Sequence, residues 1–96
     1  EAQGNAKLIR IARWTVGRTL RALGRIDEAL AIQRQLAEIG GDDGYVDEEL
    51  GECLLALGRN QEAKPHFAIA YAKLSSDAWL VAHEADRLER MRRLGE

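Results

Sequence analysis

Cys53, His66 and His83 carry the side-chain chemistry closest to neutral pH in this chain. A thiol beside an imidazole makes a nucleophile and its base. Cys53, however, keeps helical spacing with Val46, Leu50, Leu54 and Leu57, where a small buried hydrophobe is its ordinary role. His66 and His83 have no neighbours at the spacing of a metal site, and no glycine-rich phosphate loop is present. The expectation is no enzyme activity and no cofactor. A second group is basic. On a helix turning about 100° per residue, Arg10, Arg18, Arg21 and Arg25 fall within one arc with Trp14 among them. Such a stripe suits phosphates and a stacked base. The net charge of −2 and the six acids against three bases between residues 44 and 77 oppose it, since an acidic neighbour weakens phosphate attraction. A solvated arginine face is the commoner explanation. A third group is aromatic and acidic: Trp14, Tyr45 and Trp79, with Glu48, Glu52 and Asp86 nearby in sequence. Aromatic side chains outside a core are what binding hot spots are made of.

These residues must be positioned by a small scaffold. Ninety-six residues support one domain with one core, and 46% hydrophobic with 31% charged residues describe a folded rather than a disordered chain. One cysteine rules out an internal disulfide. The sequence has no apolar run long enough to cross a membrane and no signal-peptide pattern at its start, so the expected setting is the cytoplasm and no membrane contact. Eleven arginines against three lysines hint at a GC-rich bacterial source. Because the chain starts at Glu1 rather than methionine, it reads as a piece of a longer protein, with any extra repeats expected before Glu1 rather than after Glu96.

The organisation is a repeat of 34 residues. Gly17, Leu20, Ala22, Leu23, Gly24, Arg25, Glu28 and Ala29 recur as Gly51, Leu54, Ala56, Leu57, Gly58, Arg59, Glu62 and Ala63, and the period continues loosely in Ala85, Leu88 and Met91. The apolar spacing predicts helices over roughly 6–23, 26–39, 44–57, 60–74 and 77–94. In the first, Leu8, Ile9, Ala12, Val16, Leu20 and Leu23 gather on one side as the expected core stripe; in the third, Val46, Leu50, Cys53, Leu54 and Leu57 do so. The fifth offers a narrower stripe of Leu80, Val81, Ala85, Leu88 and Met91, interrupted by Glu84. Gly24 and Gly58 fall where left-handed helix ends are expected. Asp42, Asp43 and Asp77 are the candidate N-caps, and Pro65 should bend the fourth helix slightly. Gly17 and Gly51 supply positions without a side chain, where a partner helix can approach closely.

The period, the helix–turn–helix unit, the Leu50-Gly51 pair, and Ala63 followed four residues later by Phe67 resemble the tetratricopeptide repeat (TPR) over residues 10–96, with Gln33 standing where the second unit has Phe67. The resemblance implies an all-α, right-handed α-solenoid of antiparallel helix pairs: repeat 1 at about 10–43, repeat 2 at about 44–77, and a half-repeat capping helix at about 78–96. It also implies a protein-interaction module that holds a peptide or helical segment of a partner in the concave groove made by the first helix of each unit. Projection puts Arg10, Ile11, Trp14, Arg18 and Arg21 of the first helix on that surface, with Tyr45, Glu48, Glu52 and Leu55 of the third. Trp79, Ala82, Asp86 and Arg90 join from the fifth, and Ile11, Tyr45 and Trp79 share one register. Glu48, Glu52 and Asp86 would repel a terminal carboxylate, which argues against a chaperone-tail clamp and for a ligand with a basic segment; Arg18 and Arg21 would receive an acidic group at the other end. The structural reading of the same residues is lateral packing, with Trp14 covering the next helix and Arg18 pairing with Glu48 or Glu52. Self-association through Leu8, Ile9 and Ile11, giving a homodimer, is the alternative function.

Overall fold

The computed structural model describes residues 2–40 and 44–96. They form six helices: α1 (Ala2–Ala22), α2 (Ile26–Ile39), α3 (Gly44–Ala56), α4 (Asn60–Leu74), α5 (Ala78–His83) and α6 (Ala85–Leu94). The all-α expectation holds; the count of five does not. Glu84, at φ −133° and ψ 40°, ends α5 and precedes α6, so the expected last helix is two. The break lies between two sets of anchors. Asp77 caps α5 by accepting from the backbone N–H groups of Trp79 at 2.9 Å and Leu80 at 3.1 Å, while Arg87 and Arg90 tie α6 to carboxylates of α3. The apolar period carries no trace of those ion pairs. Asp42 and Asp43, the other expected caps, lie outside the described residues. Pro65 lies inside α4.

The helices pack mainly with their sequence neighbours, α1 on α2, α2 on α3 and α3 on α4, after which α4 packs on α6 and α1 touches α3 more lightly. The two tight turns are built alike. Gly24 (φ 83°) and Gly58 (φ 76°) occupy the left-handed region, and each is followed by a backbone bond back to a repeat leucine, Arg25 N–H to Leu20 O at 2.9 Å and Arg59 N–H to Leu54 O at 2.8 Å. This is a Schellman end, which closes the orphan carbonyls of the first helix and turns the chain into the second. Arg25 with Glu28, and Arg59 with Glu62, then repeat the same i,i+3 ion pair at the next helix start.

The core is centred on the second hairpin: Val46, Leu50, Cys53, Leu54, Ala63, Phe67, Ala70 and Leu74, extended by Ala29, Leu30 and Leu36 from α2 and Leu80, Leu88 and Met91 from the last two helices. The stripe expected on the third helix is therefore buried, apart from Leu57, which is partly so. The stripe expected on the first helix is not. Leu8, Ile9, Val16 and Leu23 are all more than half exposed, Ala12 is exposed, and only Leu20 packs partly against the core. In the last pair, Val81 and Ala85 are likewise exposed.

Close approach of the helices decides which face turns inward. A Cβ at Gly51 would stand 2.9 Å from the Phe67 ring, and one at Gly17 would stand 2.5 Å from the amide nitrogen of Gln33. Phe67 and Gln33 are 34 residues apart, as are the two glycines, so both hairpins close through the same contact. The face of α1 that meets α2 is the one carrying Gly17, about 130° round the helix from the middle of the Leu8–Val16 stripe. An aromatic ring pinned in a core yields less than a flexible amide. Gly51→Ala is therefore expected to cost about 1–2 kcal/mol net of its gain in helix propensity, and Gly17→Ala less than half of that. Thermal unfolding of the two variants followed by circular dichroism checks the order.

Candidate functional site

The site begins with Trp14. Its indole Nε1 donates to the carbonyl oxygen of Tyr45 at 3.2 Å, and the two rings meet edge to face with centroids 5.9 Å apart at 73°. The hydrogen bond spans α1 and the first turn of α3, so one side chain joins two helices that otherwise touch lightly. Edge-to-face contact puts the positive edge of one ring on the negative face of the other. A guanidinium completes each end: Arg18 lies over the Trp14 ring at 5.3 Å, and Arg87 over the Tyr45 ring at 5.6 Å.

The carboxylates of α3 are held inside this frame. Arg87 donates to Glu48 from Nε at 2.8 Å and Nη2 at 2.5 Å, and Arg21 donates to Glu49 from Nε at 2.8 Å and Nη2 at 3.0 Å. Glu48 and Glu49 are buried, and both pairs are the bidentate kind that arginine suits best. Hydrogen bonding to these carboxylates pushes the Arg21 and Arg87 guanidinium groups above their ordinary range, against the opposing effect of burial. Arg90 donates to Glu52 in a third link. Asp47 receives Lys73 at 3.1 Å on the α4 side.

Beside the aromatic pair lies a groove of about 340 Å³ lined by Lys7, Arg10, Ile11, Trp14, Tyr45 and Val46. Arg10 reaches across one edge to donate to the Leu36 carbonyl at 3.0 Å. Ile11 is half exposed. The groove is a wall of indole and phenol with an aliphatic side chain free to meet a visitor.

The residues projected onto one surface from sequence are therefore sorted into three places. Ile11, Trp14 and Tyr45 come together in the groove. Arg21, Glu48 and Glu52 form contacts between helices, while the exposed Arg18 stays over the Trp14 ring of its own helix; Trp14 and Arg21, expected to face a ligand, largely face α3, as the lateral-packing reading has them. The arginine–carboxylate pairing differs from the expected one, because Arg21 takes Glu49 while Arg18 takes the Trp14 ring. Leu55 is separate, in a smaller depression of about 170 Å³ with Asn60, Ala63, Lys64, Phe67, Arg93 and Leu94. Trp79, expected to align with Ile11 and Tyr45, is exposed on α5 with its ring stacked on His83 at 4.9 Å, and does not line the groove; the break at Glu84 separates it from the helix that packs on α4. Asp86 is exposed at the start of α6. Sequence reasoning missed Lys7, Val46 and Arg87. Arg87 carries no local signal, since the residue one repeat before it is the buried Cys53 and its partner Glu48 lies 39 residues back.

Cys53 is fully buried, and burial pushes its thiol up to about 11, with the Glu49 carboxylate adding to the shift. No cluster of three His, Cys, Asp or Glu side chains able to hold a metal ion occurs among the described residues, and no helix among them is long and apolar enough to cross a membrane. Comparison of the chain with protein-family models, curated protein sequences and solved structures gives no match.

Two expected outcomes follow from this geometry. Arg87→Ala strands the Glu48 carboxylate in a buried position, and is expected to cost about 2–3 kcal/mol, whereas Arg92→Ala, in the exposed pair with Glu89, leaves the unfolding midpoint in place. Denaturant titration of both variants checks this. The raised thiol of Cys53 makes the neutral form the one the fold favours, so its contribution to stability is full below its ordinary value of 9.0 and is lost as pH rises toward about 11. Native protein at pH 8 is expected to resist a thiol-disulfide reagent that labels the unfolded chain at once.

Proposed function

We propose that the chain is a tetratricopeptide-type interaction module, a right-handed solenoid of two helix pairs closed by a C-terminal capping segment, that holds a peptide or helical segment of a partner protein in the groove between α1 and α3. The 34-residue identities, the paired Schellman turns and the paired glycine contacts support the repeat reading. The observation that carries the functional reading is the groove itself. Its walls are locked by the Trp14–Tyr45 hydrogen bond and flanking guanidinium groups, so it is preorganised, and the side chain it leaves free is the apolar Ile11. Preorganised walls lower the ordering cost of binding.

The ligand of this proposal is anchored by an apolar side chain rather than by its charge. The basic segment expected from Glu48, Glu52 and Asp86 has less to meet, because Arg87 and Arg90 already engage the first two. The nucleic-acid reading loses ground for a related reason. Arg21 is committed to Glu49, and Arg18 covers the indole face on which a base would stack. A cytoplasmic setting and the absence of enzyme activity belong to the same proposal.

Trp14 and Tyr45 hold the fold together, so substituting them confuses binding with stability. Ile11 is the clean probe. Peptides selected from a displayed random library on the native domain are expected to lose binding about tenfold or more against Ile11→Glu, a variant whose unfolding midpoint matches the parent. Peptides that bind both forms equally, or a library that yields none, would remove the groove as the site.

A further inference from the structure

The second hairpin departs from the first at one place where apolar side chains give way to polar ones. Thirty-four residues after Ile26 and Leu30, which pack against or within the core, stand Asn60 and Lys64. An amide and an ammonium reach for water where the first hairpin fills space with aliphatic carbon, and they border the depression of about 170 Å³ between α4 and the ends of α3 and α6. Its apolar walls are Leu55, Phe67 and Leu94. Its polar members are Asn60, Lys64 and Arg93, and no carboxylate of the described residues lines it.

Arg93 stands there because the third unit ends differently from the other two. Arg25, Arg59 and Arg93 share one register, as do Glu28, Glu62 and Glu96. The first two arginines close i,i+3 ion pairs with their glutamates. In the third unit Arg92 occupies the place of Gly24 and Gly58, so α6 runs on without their left-handed turn, and Arg92 takes both Glu89 and Glu96. Arg93 is left without the carboxylate that its register supplies elsewhere. Lys64, only partly exposed, has no ion pair among the described residues either, and the nearby acids are committed, Glu62 to Arg59 and Glu52 to Arg90. Two cations and an amide thus border one small apolar hollow with no internal anion to neutralise them.

We infer that this depression is a binding site for a small organic carboxylate, whose oxygens meet Lys64, Arg93 and the Asn60 amide while a short apolar body lies on Leu55 and Leu94. Charge-assisted hydrogen bonds supply orientation, and the apolar walls supply contact area. At about 170 Å³ against about 340 Å³ for the groove, the hollow has room for a ring or a short branched chain rather than for a length of peptide. It shares no lining residue with the groove, so the two sites stand or fall separately.

The test is a chemical-shift titration of the isotope-labelled whole chain with benzoate, with its neutral isostere benzamide, with inorganic phosphate and with a glutamate-containing tetrapeptide. Benzoate is expected to give saturable shifts in α4 and at the end of α6, to bind about tenfold or more tightly than benzamide, and to weaken with salt. Lys64→Leu, which restores the residue type of the first hairpin, and Arg93→Gln, at an exposed position, are each expected to keep the parent circular dichroism and to lower benzoate affinity about fivefold or more. Arg13→Gln, at an exposed arginine of α1, and Ile11→Glu leave it unchanged. Equal binding of benzoate and benzamide, no saturable shift, or an equal loss on Arg13→Gln would overturn the inference. So would phosphate binding more tightly than benzoate, which removes the apolar body, or the tetrapeptide doing so, which gives the hollow to a protein segment. Because Arg93 is exposed, retention of benzoate by a folded Arg93→Gln decides against the site even where Lys64→Leu alters packing.

Discussion

Helix contact at a residue without a side chain is the constraint on which the rest of this structure depends. Gly51 lets the Phe67 ring lie against the backbone of α3, and Gly17 lets Gln33 do the same against α1. Once these contacts are fixed, so is the rotation of each helix about its axis, and every other side chain inherits its place. Trp14 and Arg21 are then carried toward α3, and the aliphatic stripe of α1 is carried away from the chain. A tally of hydrophobic residues selects the wrong side of α1 because burial follows where a neighbour is present, and the glycine, not the stripe, marks the neighbour.

The charged residues follow from the same rotation. With α1, α3 and α6 set side by side, arginines of the outer two reach carboxylates of the middle one, two of them buried. Buried carboxylates are tolerable only when both oxygens are engaged, and Glu48 and Glu49 each receive two guanidinium hydrogen bonds. Such pairs contribute less to net stability than to register: a slip of one residue would leave a carboxylate buried and unpaired. They also remove charge from the surface, which leaves the groove at Ile11 apolar in a chain that is 31% charged.

Much of the fold was legible because it is written twice. Eight identities at one offset fixed the unit, and the left-handed glycines, the Asp77 cap and the stripe of α3 could be read from local chemistry. The candidate site was legible in part: Ile11, Trp14 and Tyr45 were named correctly as neighbours, but the register that joined Trp79 to them assumed an unbroken last helix. The turn at Glu84 depends on anchors to α3 whose partners are 38 and 39 residues apart in sequence, beyond any local pattern. The same limit hid Arg87, whose meaning lies wholly in its partners.

The two hairpins share a plan without sharing its strength. In the second, Phe67 fills the space beneath Gly51 with apolar atoms. In the first, the matching place holds a fully buried glutamine whose Nε2 donates to the Trp14 carbonyl at 3.2 Å but whose Oε1 has no hydrogen-bond partner among the described residues. An orphaned buried carbonyl costs about 1–3 kcal/mol, and the exposed stripe of α1 adds unburied apolar surface to the same unit. Local opening therefore begins at α1, the helix that lines the groove and bears the bare face. A ligand of the proposed groove would act on the weakest part of the molecule, and its binding free energy would appear directly as stability of the first hairpin. Binding at the proposed groove and folding of that hairpin would then be one equilibrium, with the second hairpin as the platform against which it is measured.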